Sequence, residues 1–218
     1  MSQAQWTAVD HYLQETLLPP DPVLDAALQA ADAAGLPAIQ VSALHGQLLQ
    51  ILAQAMGARR ILEIGTLGGY STIWLARALP ADGQLVTLEL LPEHATVAQA
   101  NFVRAGLSGQ IELRVGSALQ SLAALGAEGV EPFDLVFIDA DKRNYPNYYR
   151  LVRERMQPGG WILADNVLWS GKIVQPQEKM DADTRALAAF NDAVHADPQA
   201  DHFLAPIRDG ILIIRMRN

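Results

Sequence analysis

Short apolar runs alternate along the chain with stretches of helical periodicity. Arg60-Ile61-Leu62-Glu63-Ile64, Leu85-Val86-Thr87-Leu88-Glu89, residues 111–115, residues 133–138 and Trp161-Ile162-Leu163-Ala164 read as strands. The run Leu135-Val136-Phe137-Ile138 shows no polar alternation, as expected of a strand covered on both faces in the middle of a parallel sheet. Between the runs, apolar residues recur at helical spacing. A first helix over 5–18 carries Trp6, Val9, Leu13 and Leu17 and is stopped by Pro19-Pro20. A second is capped by Asp21, with Pro22 at its first position, and runs to about Gly35. After an extended link over 36–41, Ser42 caps a third helix (Leu44, Leu48, Leu49, Leu52) that ends near Gly57. Further helices are expected over 72–79, 92–105, 117–125, 145–156 and 184–196. Segments 203–207 and 211–216, joined through Arg208-Asp209-Gly210, read as a closing hairpin. The pattern predicts one doubly wound, Rossmann-like α/β domain over 36–218, with a helical extension over 1–35 that covers the ligand edge or forms a subunit contact.

Composition narrows the picture. At 218 residues one α/β domain can bury its own core. A net charge of −8, with no basic stretch against it, makes nucleic acid and anionic membrane poor partners. The absence of cysteine excludes disulfides and thiolate metal sites and fits a reducing cytoplasm. Met1-Ser2-Gln3-Ala4-Gln5-Trp6 has neither the basic start nor the apolar core of a signal peptide, and no run approaches a membrane span.

The chemistry sits where strands end. Phe137-Ile138 runs into Asp139-Ala140-Asp141-Lys142, and Leu163-Ala164 runs into Asp165-Asn166. Open α/β sheets bind ligands beyond the carboxyl ends of their strands. If these two strands are neighbours, about 4.8 Å apart, Asp139, Asp165 and Asn166 converge as hard oxygen ligands for a divalent cation: Mg²⁺, Mn²⁺ or Ca²⁺. Three protein oxygens leave coordination positions for water and for two vicinal hydroxyls of an acceptor, one of which would be acidified. Lys142 beside such a cation would lose proton affinity and could act as a base. Tyr145, Tyr148 and Tyr149, at helical spacing, are read as packing residues, and the five histidines as structural or exposed.

Gly65-Thr66-Leu67-Gly68-Gly69-Tyr70-Ser71 forms a glycine-rich turn into a helix, and Glu89 ends the next strand. The loop lacks the lysine of a phosphate-binding P-loop, and Leu67 stands where a dinucleotide fingerprint needs glycine. The remaining reading is an S-adenosylmethionine site, in which Glu89 takes ribose hydroxyls and an acid at Glu63 suits a cationic ligand. A nicotinamide-dependent oxidoreductase and a non-catalytic S-adenosylmethionine sensor are the alternatives. An intact Asp139, Lys142, Asp165 and Asn166 set argues against the sensor, which needs neither metal nor base.

The motifs 62–71 (Leu-Glu-Ile-Gly-Thr-Leu-Gly-Gly-Tyr-Ser), 137–142 (Phe-Ile-Asp-Ala-Asp-Lys) and 165–169 (Asp-Asn-Val-Leu-Trp) occur in the order and spacing of a known family. From about Leu36 onward the chain resembles the class I cation-dependent O-methyltransferases of the catechol and caffeoyl-coenzyme A type. The resemblance implies a seven-stranded, mostly parallel methyltransferase sheet with a C-terminal antiparallel hairpin, and a homodimer. It implies that Val41, Glu63, Gly65 and Ser71 hold the methionine end of S-adenosylmethionine, with Asp141 near its amino group and Thr66 and Asp139 also at the donor site. Glu89 would then bind the ribose and Ala118 lie by the adenine. It further implies metal ligation by Asp139, Asp165 and Asn166, Lys142 as general base, and Trp169 and Ser170 lining the pocket of a catechol-like acceptor.

Overall fold

The computed structural model describes residues 3–217, and in it five parallel strands fill the positions that the apolar runs predict. They are β1 (Arg60–Ile64), β2 (Gln84–Glu89), β3 (Ile111–Val115), β4 (Phe133–Ile138) and β5 (Met156–Asp165). β6 (Ala200–Ala205) and β7 (Ile211–Met216) complete one sheet of order β3-β2-β1-β4-β5-β7-β6. β7 runs antiparallel to both of its neighbours. β1 and β4 are central, which explains their unbroken apolar character: Ile61, Leu62, Ile64, Leu135, Val136, Phe137 and Ile138 have no exposed surface.

Helices α3 (Ala43–Ala55), α4 (Tyr70–Ala76) and α5 (Pro92–Arg104) share one core layer with α2 (Pro22–Ala33), around Leu49, Trp74, Phe102 and Leu24. α6 (Ala118–Ala127), α7 (Tyr145–Arg153) and α8 (Ala182–Ala196) cover the opposite face around Leu125, Tyr149 and Phe190. Helix caps follow the expected chemistry. Asp21 accepts from the amides of Val23 and Leu24 at 3.1 Å, and Ser42 from that of His45 at 3.3 Å. α1 (Gln3–Leu17) leaves Tyr12 and Leu17 exposed, and the Trp6 side chain lies outside the described residues. Among the described residues no helix is long and apolar enough to cross a membrane.

Several boundaries differ from expectation, and four of them have a visible cause. α4 begins at Tyr70 because Gly69, at φ 82, supplies a left-handed start. α7 ends at Arg153 and β5 begins at Met156, so Pro158-Gly159-Gly160 lies inside a strand and not in a turn. The ladder accommodates it through a register shift between Phe133 and Leu135. β6 begins at Ala200, because its pairing with β7 runs from Ala200↔Met216 to Ala205↔Ile211.

Candidate active site

Gly65 follows β1 at φ 99, and a Cβ there would lie 2.0 Å from the carbonyl oxygen of Asp139, so only glycine lets the loop pass β4. The loop is tied to its surroundings. Asn101 Nδ2 donates to the Gly68 carbonyl at 2.8 Å, and the amides of Thr66 and Leu67 donate to Glu89 Oε2 at 3.2 and 2.7 Å. Glu89 Oε1 accepts from the Leu91 amide at 3.0 Å and faces His94 Nδ1 at 3.4 Å. The β2 carboxylate therefore fixes the loop while keeping a face on the adjoining cavity.

Glu63 lies one layer deeper, without exposed surface. Ser71 Oγ donates to its Oε1 at 2.6 Å, and the hydroxyls of Thr72 and Thr87 donate to its Oε2. Thr66 Oγ1 lies 2.6 Å from Thr87 Oγ1, which extends the network to the glycine loop. Burial pushes the Glu63 carboxyl up to about 7 despite these three donors.

The second cluster follows from strand register. Ile138 pairs with Ala164, so Asp139 and Asp165 emerge side by side at neighbouring strand ends. Asp165 is buried and accepts the Asn166 amide on Oδ1 at 2.8 Å; burial first, and the charge of Asp139 second, push its carboxyl up to about 7. His45, from α3, brings Nδ1 to 3.7 Å from Asp165 Oδ2, and burial lowers this imidazole to about 4. Lys142 is also buried. Its Nζ donates to Asp139 Oδ1 at 3.0 Å and to the Tyr145 hydroxyl at 2.7 Å, and it lies 4.7 Å from the Tyr145 ring centroid and 5.8 Å from that of Trp169. The Tyr145 hydroxyl faces the carbonyl oxygens of Asp165 and Ile138 at 2.9 and 3.2 Å. Tyr145, Tyr148 and Tyr149 do pack in the core, as read, but each also places its hydroxyl in a polar contact: Tyr148 donates to Asp141, and Tyr149 to Asp197 at 2.8 Å.

Two adjacent carboxylates, one buried, share a single ammonium, an arrangement that suits a divalent cation. Among the described residues no three carboxylate, imidazole or thiol groups form a metal cage; Asn166, on the same cavity, carries an amide oxygen that could join the two carboxylates in a hard oxygen set. The loop after β5 is held in an unusual conformation, with Asn166, Trp169 and Ser170 at φ 59, 49 and 53. The turn between β6 and β7 pins it. Leu168 N donates to the Asp209 carbonyl at 2.9 Å, Val167 N to that of Gly210 at 3.2 Å, and Ser170 N to the Asp209 carboxylate.

Of the residues singled out in the sequence, Val41, Gly65, Thr66, Ser71, Glu89, Ala118, Asp139, Asp141, Lys142, Asn166 and Trp169 face one cavity of ≈ 1040 Å³. That is at the upper end of the ~300–1,000 Å³ that hold one drug-sized ligand, which suits two substrates together. Glu63 and Asp165 lie behind its wall, and Ser170 is exposed outside it. Sequence reasoning missed His45, Tyr145 as a partner of Lys142, and Asp209. Only Tyr145, three positions after Lys142 and ahead of a helix, carried a local signal.

Comparison with known proteins identifies the family. Residues 20–217 match the model of the O-methyltransferase family. The chain is 45% identical over 201 residues to the catechol O-methyltransferase of Niastella koreensis, covering 92% of this chain and 90% of that protein. It is 50% identical over 174 residues to the catechol O-methyltransferase of Mycobacterium tuberculosis, covering 80% and 78%. The crystal structure of the O-methyltransferase from Bacillus cereus in complex with S-adenosylhomocysteine (SAH) superposes with a TM-score of 0.95 at 41% identity, covering 98% of this chain and 99% of that one. With fold, glycine loop and strand-end carboxylates all in place, the chain belongs to the O-methyltransferase family and is an S-adenosylmethionine-dependent O-methyltransferase.

Proposed function

We propose that the enzyme methylates one hydroxyl of a vicinal dihydroxy aromatic, catechol-like acceptor, and that the reaction depends on a divalent cation held by Asp139, Asp165 and Asn166. The observation that carries this is Asp139 beside buried Lys142 on the cavity that the glycine loop also lines, with the Asp165 carboxylate at the neighbouring strand end directly behind the wall. The loop amides and Glu89 form the donor end, where Glu89 accepts from the ribose hydroxyls and Asp141 attracts the donor's amino group. Trp169 walls the acceptor end beside Lys142. When bound, the cation neutralises the carboxylate pair and acidifies an acceptor hydroxyl. Lys142 Nζ, fixed between Asp139 and Tyr145, would lose its own proton beside such a cation and, as the neutral amine, take the proton of that hydroxyl; the resulting oxyanion attacks the sulfonium methyl, whose S–C bond breaks to release S-adenosylhomocysteine. Holding both substrates in contact is worth ~7–11 kcal/mol of the barrier, so positioning dominates over covalent catalysis. The family resemblance adds the expectation of a homodimer, which the molecular mass in solution tests.

The test is incubation with S-adenosylmethionine and a panel of catechols, with Mg²⁺ or with chelator, following methylated product by mass. Product that vanishes with chelator supports donor, acceptor class and cation together. Product that survives chelation removes the cation, and donor binding without any product points to an acceptor of another class.

A further inference from the structure

We infer that His45 is a positioning residue for Asp165: its imidazole backs the carboxylate and so sets how tightly the Asp139, Asp165 and Asn166 cluster takes a divalent cation. This inference rests on the cation reading proposed above.

Asp165 is held at three points. Its carbonyl accepts from the Tyr145 hydroxyl at 2.9 Å, its Oδ1 from the Asn166 amide at 2.8 Å, and its Oδ2 faces His45 Nδ1 at 3.7 Å. The first two are fixed by the chain around β5 and α7; the third reaches in from α3, on a separate element. The separation is too long for a formed hydrogen bond; with the proton on Nδ1, the ring presents an N–H dipole to the carboxylate oxygen. His45 has little freedom to be elsewhere. It is 5% exposed, its own amide donates to the Ser42 cap, and its ring meets Phe137 of β4 edge-on with centroids 6.4 Å apart.

The other ring nitrogen gives the second observation. Nε2 is buried with no hydrogen-bond partner. Buried polar atoms without partners are rare and costly, so an imidazole placed here for packing alone would be a poor choice beside leucine. What distinguishes it from leucine is Nδ1, and Nδ1 faces Asp165. A neutral imidazole also has an advantage over lysine or arginine at this place. It orients the carboxylate without cancelling its charge, and so does not compete with the cation. Groups that hold a metal-binding carboxylate or imidazole from behind typically change metal affinity ~10–100-fold when removed.

The probe is Mn²⁺ alone, titrated into the protein without methyl donor or acceptor and followed by the electron paramagnetic resonance of free Mn²⁺. Two variants separate polarity from packing: His45→Leu keeps bulk and removes the nitrogen, whereas His45→Asn sets an amide nitrogen where Nδ1 lies. The expected result is ~10–100-fold weaker Mn²⁺ binding in His45→Leu and near-parental binding in His45→Asn. S-adenosylmethionine affinity should stay at the parental value in both, which also shows that each variant is folded. At saturating Mn²⁺ the turnover of His45→Leu should recover, because the defect lies in cation affinity. Parental Mn²⁺ affinity in His45→Leu would overturn the role of His45, and so would His45→Asn binding as weakly as His45→Leu, since ring packing would then be the cause. A parent that binds S-adenosylmethionine but no Mn²⁺ would overturn the cation reading itself, and the role of His45 with it.

Discussion

Lys142 carries the sharpest demand on any single side chain. An exposed lysine samples many rotamers, but this one is buried, with Nζ held by Asp139 Oδ1 and the Tyr145 hydroxyl and roofed by two aromatic rings. A nitrogen held this way fits the proposed role of general base. Lys142→Ala should therefore lower turnover at least ~10²-fold, the usual scale for a general base. Donor affinity should hold, because the glycine loop and Glu89 do not touch Lys142; a parental rate would remove it from the chemistry. Gly65 is constrained by space. Gly65→Ala must put a methyl 2.0 Å from the Asp139 carbonyl at a φ of 99, so either the loop or the β4 end moves. A loss of about 1–3 kcal/mol in urea denaturation is expected, with weaker S-adenosylmethionine binding by titration. Unchanged stability would show that the loop passes β4 with more room than the structure gives it. Both residues were legible in the sequence because each is next to its partners along the chain or ends an apolar run. His45 was not, since the Asp165 carboxylate it faces lies on a strand end far along the chain, and no local pattern links them.

At the scale of elements, the β6–β7 turn and the loop after β5 behave as one unit. Three contacts from Val167, Leu168 and Ser170 end on Asp209 and Gly210, and Asp209 lines the cavity as well. The left-handed residues Asn166, Trp169 and Ser170 cost conformational energy, and the turn is what repays it. Asp209→Ala should loosen this loop by the worth of one charge-assisted hydrogen bond, ~1.5–3 kcal/mol, and raise the acceptor KM roughly tenfold or more. Donor affinity should be unaffected on the proposed reading, in which S-adenosylmethionine is held by the glycine loop and Glu89; an acceptor KM equal to the parent's would mean the loop holds itself. The hairpin was legible as two strands around Arg208-Asp209-Gly210, but its grip on the acceptor loop was not. That grip is made of backbone amides, which carry no residue-type signal. The early start of β5 was hidden for a related reason. Pro158-Gly159-Gly160 reads locally as a turn, and only the pairing of Phe133 with Met156 across the sheet draws it into the strand.

For the molecule as a whole, the parallel sheet decides both where the site lies and what it costs. Central strands with wholly apolar flanks bring every strand-end acid to one edge, which made the convergence of Asp139 with Asp165 readable before any coordinates. The same burial makes Glu63 expensive. Its carboxyl, ordinarily near 4.5, is pushed up to about 7 by desolvation, which the hydroxyls of Ser71, Thr72 and Thr87 offset only in part. A carboxyl raised in the folded state binds its proton more tightly there than in the unfolded chain. Its contribution is thus most favourable below pH 4.5, declines between about 4.5 and 7, and is level above that. At roughly 1.4 kcal/mol per pH unit, the window corresponds to about 3 kcal/mol of stability lost on going from acid to neutral pH. Asp165, raised to about 7 as well, adds a parallel loss, so the parent's profile alone does not isolate Glu63. The difference between parent and Glu63→Gln does. In chelated buffer, urea unfolding at pH 5 and pH 8 should show the stability of Glu63→Gln relative to the parent rising by up to about 3 kcal/mol toward pH 8. The absolute offset is set separately, by how well the new amide fits the hydroxyls of Ser71, Thr72 and Thr87, so the reading is the change with pH and not the level. Parallel profiles would mean that these three hydroxyls fully replace water around the carboxylate, and that the cost of burying it is met inside the site.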